Sequence, residues 1–100
     1  NLPVAMASDY NPGSTPSGNM NFLVSLACIK MKMLPEEAIN AATINAAHAM
    51  GVQDILGSIS RGKLANFFIT SAVPSVHYLA YSFGENCIQE VWIKGRKFTA

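Results

Sequence analysis

The first carboxylate of the chain, Asp9, follows an apolar run at residues 2–7 and opens the stretch Asp9-Tyr10-Asn11-Pro12-Gly13-Ser14-Thr15-Pro16-Ser17-Gly18. Uninterrupted apolar character over so few residues suits a strand buried on both faces. An acid at the end of such a strand, in front of a long loop, stands where barrel enzymes keep their reacting groups. Partly desolvated, that carboxylate can ligate a metal or carry a proton. The same residue type also caps turns through its own side chain, and strand-Asp-turn is a common arrangement. Residue type and position leave both uses open. Asn11-Pro12-Gly13-Ser14 adds an amide, an uncovered backbone at Gly13 and a hydroxyl. These suit a polar or carboxylate-bearing ligand, and they are also preferred turn residues.

Other reactive side chains are less suggestive. His48 falls among small residues in a helical stretch, and His77 stands beside Tyr78 in an apolar one. Their spacing matches neither H-x-H nor H-E-x-x-H, so no metal motif includes them. For both, a hydrogen-bonded or surface imidazole is the expected state. Cys28 and Cys87 lack C-x-x-C or Cys/His spacing and read as buried, reduced thiols of a cytoplasmic protein. Ser8, Ser14 and Ser17 lack a G-x-S-x-G elbow. Gly57, Gly62 and Gly95 are isolated, so no phosphate loop is present.

The elements that must hold Asp9 follow from periodicity. Phe22, Leu23, Leu26, Ile29 and Met33 recur at helical spacing and predict a helix over residues 19–33, apolar nearly all round. Pro35-Glu36-Glu37 opens a second helix, with Ala38, Ile39, Ala42, Ala46, Ala49 and Met50 as its stripe and Gly51 as its stop. Beyond residue 51 the pattern turns to strands, at 55–60, 64–70, 76–82, 87–93 and 97–99. Lys94-Gly95 predicts a tight hairpin. The chain thus divides into residues 1–51, the end of a β/α unit with its loop, and residues 52–100, rich in β-structure.

Composition bounds what such a chain can be. Half of the 100 residues are hydrophobic, 13% are charged and the net charge is +1, whereas an ordinary soluble domain carries about a quarter charged residues. Disorder is excluded by the apolar content. Nucleic-acid binding is not expected, because no Lys/Arg cluster exists to follow phosphates. The longest nearly apolar stretch, residues 20–29, falls short of the roughly 20 residues a membrane-spanning helix needs. The N-terminus has neither an initiator Met nor the basic region of a signal peptide. The expectation is a piece of a larger product, its apolar surface covered by further chain or by another copy of itself.

Four stretches carry a resemblance. Ala7-Ser8-Asp9-Tyr10-Asn11-Pro12-Gly13-Ser14 resembles the end of the eighth barrel strand and following loop of the metal-dependent amidohydrolases, and within them the imidazolonepropionase family. Pro35-Glu36-Glu37-Ala38 with Ala41-Ala42-Thr43-Ile44-Asn45-Ala46-Ala47, then residues 57–66, then Val91-Trp92-Ile93-Lys94-Gly95-Arg96 resemble the wider superfamily in the same order.

The resemblance implies an α/β fold: the C-terminal fragment of a (β/α)8 TIM barrel plus strands of a small β-sandwich. It implies hydrolysis of the ring amide of 4-imidazolone-5-propanoate to N-formimidoyl-L-glutamate in histidine degradation, with zinc or iron. By position, Asp9 would ligate the metal and move a proton from its water to the leaving ring nitrogen. Asn11 and Gly13 would contact substrate or product, and Ser14 would help fix the propanoate side. The family's histidine ligands belong to earlier strands, so the fragment alone is expected to be inactive and to hold metal weakly. A homo-oligomer is expected. Another amidohydrolase, a deaminase or a dihydroorotase-like enzyme, and a non-catalytic oligomerising remnant are the alternatives. Two departures stand out. Asn66 replaces the superfamily's usual Asp, and Leu34 replaces a Thr or Ser helix cap, whose absence costs about 1 kcal/mol.

Overall fold

Asn19 starts the first helix by accepting hydrogen bonds on its side-chain oxygen from the backbone N–H groups of Asn21 and Phe22, at 3.0 and 3.3 Å. This is the N-cap arrangement that supplies a partner to orphan donors. In the computed structural model, which describes residues 2–82 and 84–99, helix α1 then runs over Met20–Lys30. It is shorter than the expected 19–33. The N–H groups of Met31 and Met33 both return to the Ala27 carbonyl at 3.1 Å, and Lys32 takes a left-handed φ of 58°, so the chain turns away after Lys30.

Helix α2, Pro35–Ala42, has Pro at its start and Glu36 and Glu37 in its first turn. Leu34 offers no side-chain acceptor there, but the Glu37 carboxylate reaches back to the Leu34 N–H at 2.9 Å. Half of a capping box therefore replaces the missing hydroxyl cap. Periodicity predicts one helix from 35 to 50, and the structure breaks it at Thr43 (φ −120°, ψ −90°). The Thr43 hydroxyl donates to the Ile39 carbonyl at 2.7 Å, a back-bond that competes with the helical ladder. Helix α3, Ile44–Met50, follows and ends on Gly51 in the left-handed conformation.

The expected strand at 76–82 is instead a short helix, α4 (His77–Tyr81). Ala80 is completely buried and packs with Val24, Ala27, Cys28 and Ala38, flanked by Met6, Met33, Ile39 and Ala42. Alanines let α1, α2 and α4 approach closely, and that packing overrides the local β-propensity of the apolar run. Residues 55–60 likewise form turns and bends rather than a strand. Gly57 explains why: at φ 99°, an added Cβ would lie 2.7 Å from the Ala47 Cβ. The segment is pressed onto α3.

The remaining strands form an antiparallel sheet in the order β1 (Phe67–Thr70), β2 (Ile88–Ile93), β3 (Arg96–Lys97). Phe67 stands opposite Trp92 and stacks on it with ring centroids 5.9 Å apart. The β2–β3 hairpin turns through Lys94 and Gly95, at φ 52° and 77°, the two positive values of a type I′ turn. Asn66 accepts the Lys94 N–H on its side-chain oxygen at 2.7 Å. An aspartate would offer the same acceptor, which accounts for the exchange at that position.

Residues 2–7 form no strand pairing in this chain, contrary to the expected buried strand. They are held from one side only, by the Met6 N–H on the Ala41 carbonyl at 2.9 Å and by the Asn45 side-chain amide on the Val4 carbonyl at 2.9 Å. A strand buried on both faces needs neighbouring strands, and none of the described residues supplies one. The same shortage is visible across the surface. The chain exposes 7336 Å², against about 5500 Å² for a self-contained folded chain of this mass. Its buried apolar residues are Val, Ala and Cys, whereas Leu2, Ile59 and Met50 are 88%, 86% and 76% exposed. The expectation that the chain begins within a longer product concerns Asn1, which lies outside the described residues.

Candidate active site

The loop after residues 2–7 is organised by one amide. Asn11 Oδ1 accepts the backbone N–H of Gly13 at 2.9 Å and of Ser14 at 2.8 Å, and lies 3.3 Å from the Ser14 hydroxyl. Its Nδ2 donates to the Asp9 carbonyl at 2.7 Å and to Ser14 Oγ at 3.2 Å. Two N–H donors fix which atom of the carboxamide is oxygen, so the network itself sets the orientation. The backbone closes the turn as well, with Asn11 N–H on the Thr15 carbonyl at 2.8 Å and Thr15 N–H on the Asn11 carbonyl at 3.2 Å. At Gly13 an added Cβ would lie 3.2 Å from Asn11 Oδ1, so the absent side chain is what lets the amide sit against the backbone.

Asp9 enters this turn at φ 49°, a left-handed conformation that Asp tolerates better than most residues, at a cost of about 1–2 kcal/mol. It is exposed and contributes its carbonyl to the loop. Among the described residues its carboxylate has no hydrogen-bond or ion-pair partner. The side chain that caps the turn is that of Asn11, not that of Asp9. The side-chain oxygen of Asn signals such a turn at the first position of Asn-Pro-Gly-Ser, whereas the family resemblance directs that amide at a ligand.

The described residues contain no group of three or more His, Cys, Asp or Glu side chains able to hold a metal ion. Asp9 has the right chemistry for one oxygen donor, and one carboxylate is not a coordination set. His48 lies exposed on α3. His77, on α4, binds Glu36 at the start of α2 through Nε2. The backbone N–H of Glu36 itself and the His77 ring hold the Glu36 carboxyl below its ordinary range. Tyr78 donates to Glu85 at 2.7 Å, and that bond pushes its phenol up. Both cysteines are free and buried, and burial raises the Cys28 thiol. None of these groups joins the Asp9 loop.

A cleft of about 750 Å³ opens beside the loop's far end, between Asn19 and Val24 on the α1 side and Leu79 of α4, Phe68 of β1 and Cys87 next to β2. Asp9, Asn11, Gly13 and Ser14 do not line it. No helix among the described residues is long and apolar enough to cross a membrane.

Comparison with known proteins supplies the context for this loop. Residues 1–97 match the model of the amidohydrolase family. An imidazolonepropionase of Christiangramia forsetii is 64% identical over 95 residues, and one of Flavobacterium johnsoniae is 61% identical over 95 residues. Each alignment covers 95% of this chain and 23% of the relative, so the chain spans about a quarter of the length of these proteins. An amidohydrolase from Thermotoga maritima superposes with a TM-score of 0.68 at 21% identity, over 89% of this chain and 21% of that one. The guanine deaminase of E. coli superposes with 0.72 at 18% identity, over 98% of this chain and 28% of that one. At such identities these two structures share the fold alone. The arrangement fits a fragment of a TIM-barrel-type protein.

Proposed function

We propose, from the premise that this chain belongs to the amidohydrolase family, that it is the C-terminal part of an imidazolonepropionase. The complete enzyme would hydrolyse the ring amide of 4-imidazolone-5-propanoate to N-formimidoyl-L-glutamate. The observation that carries this reading is the free Asp9 carboxylate at the mouth of a turn capped by another residue. Support for the substrate comes from the two imidazolonepropionases above, whose identity to this chain far exceeds that of the guanine deaminase.

In this reading Asp9 accepts a proton from the attacking water and delivers it to the ring nitrogen as the C–N bond breaks. A carboxylate without a competing partner is free to make both contacts in turn. The Ser14 hydroxyl faces the propanoate side of the substrate, and Gly13 leaves room for its approach. A divalent metal, zinc or iron, would activate the water when bound. Asp9 would be one of its ligands, and the others would come from segments outside this sequence. By itself the 100-residue chain is inactive in this proposal. Residues 52–100 would complete a small β-sandwich with strands from elsewhere in the protein, and the enzyme would work as a cytoplasmic homo-oligomer.

The test is the full-length enzyme carrying Asp9→Asn. Loss of the proton carrier should lower kcat on 4-imidazolone-5-propanoate by about 10²–10⁴. A variant as active as the parent would remove Asp9 from the mechanism. A parent that turned over guanine or dihydroorotate in place of the imidazolone would overturn the substrate.

A further inference from the structure

Resting on that reading, we propose that Asn45 is a positioning residue: its side-chain amide, with the Ala41 carbonyl, tethers the segment that carries Asp9 to the helices. The Asp9 side chain takes no part in the hydrogen bonds of its loop, so its place is set by the backbone leading to it. That backbone is gripped at two points. Asn45 Nδ2 donates to the Val4 carbonyl at 2.9 Å, and the Ala41 carbonyl accepts the Met6 N–H at 2.9 Å. Because its partner is a carbonyl, the Asn45 atom must be the nitrogen. The two bonds flank Ala5 and supply the donor and acceptor that one residue of a parallel strand would. Ala41 and, on α3, Ala47 are buried, so both partners stand on packed helix.

The break between α2 and α3 makes this grip. In an unbroken helix the Ala41 carbonyl would face the N–H of residue 45, four places on. At Thr43 the backbone leaves the helical ladder, with φ −120° and ψ −90°, and the Ala41 carbonyl meets Met6 instead. An interruption that weakens the helix is thereby turned onto the segment just ahead of Asp9.

Proton transfer needs the heavy atoms within about 2.6–3.2 Å of each other, and displacement of a reacting group by about 1 Å costs on the order of a hundredfold. Binding is spread over many groups, so KM should respond less. In the full-length enzyme Asn45→Asp keeps the shape of the side chain and loses the donor. It should lower kcat by about a hundredfold with KM changed less than about threefold, and Asn45→Ala should match it. His48→Ala is the control. His48 lines a shallow cleft with Pro3, Ala5 and Asn45 and, among the described residues, has no hydrogen bond to the segment, so its loss should leave kcat at the parent's value. Hydrogen exchange at the Met6 amide should quicken in Asn45→Asp and stay unchanged in His48→Ala.

An Asn45→Asp enzyme with the parent's kcat would overturn the proposal, and so would one with unaltered Met6 exchange. A His48→Ala enzyme that lost as much activity as the Asn45 variants would assign the effect to packing and overturn it as well. Failure of the functional reading is a separate result. In that case the parent shows no turnover of the imidazolone, while Met6 exchange in Asn45→Asp still decides whether the amide holds the segment.

Discussion

The loop at residues 9–15 and the scaffold beneath it are built on opposite terms. The loop is finished: its donors and acceptors meet one another within a few residues, and Asn11 closes the set. The scaffold is unfinished, with a core of alanine, valine and cysteine and its large apolar side chains facing outward. Polar satisfaction is local and can be completed by seven residues, whereas burial is collective and grows with the length of chain that packs together. A loop of this kind keeps its shape through short-range bonds.

The sharpest test of that contrast is association. The excess of about 1800 Å² over a self-contained chain is comparable to the area of a standard protein interface. The isolated 100-residue chain should therefore self-associate in light scattering. A monodisperse monomer would show that its apolar surface is tolerated bare.

The hairpin offers a smaller test on the finished side. Asn66→Ala removes the acceptor for the Lys94 N–H and should cost about 1 kcal/mol in urea unfolding. Asn66→Asp should stay within a few tenths of the parent, since either side chain presents the oxygen. Equal losses in the two variants would mean that the residue contributes through shape alone.

The smallest effect belongs to the link between α2 and α4. Glu36 is held below its ordinary value of 4.5, first by its own backbone N–H and then by His77. A carboxylate depressed in the folded state adds stability above its unfolded value, and that contribution disappears as pH falls through the folded one. The pair is half-exposed, so the gain is slight. In His77→Ala, NMR titration should find the Glu36 midpoint moved part of the way back up. An unmoved midpoint would assign the depression wholly to the backbone.

The sequence disclosed whatever was decided locally. Lys94-Gly95 specified a reversal that only positive φ can make, and Asp9 to Gly18 specified a loop by composition. Pro35-Glu36-Glu37 marked a helix start even without a hydroxyl cap, because Glu37 supplied the missing acceptor. What stayed hidden was decided by distant packing. Val76 to Ser82 reads as a short strand between breakers, yet Val76, Leu79 and Ala80 also fit a helical stripe, and burial of Ala80 against α1 and α2 selects the helix. The break at Thr43 depends on a side-chain hydroxyl finding the Ile39 carbonyl. Residues 2–7 read as a buried strand from their apolar run alone, and among the described residues no strand pairs with them. In the loop, residue types located the turn, but only the coordinates show that the Asn11 amide caps it while the Asp9 side chain takes no part in its hydrogen bonds.

The amide of Asn45 on the Val4 carbonyl acts as a register pin. Side chains along an extended segment alternate faces, so sliding residues 2–7 by one position would turn Asp9 toward the opposite side. The pin reads only a backbone oxygen, so it does not depend on the side chain of Val4. It does not tolerate a change in the number of residues between Val4 and Asp9. A single residue inserted between Val4 and Asp9 would shift the loop against this pin while leaving every bond inside it intact.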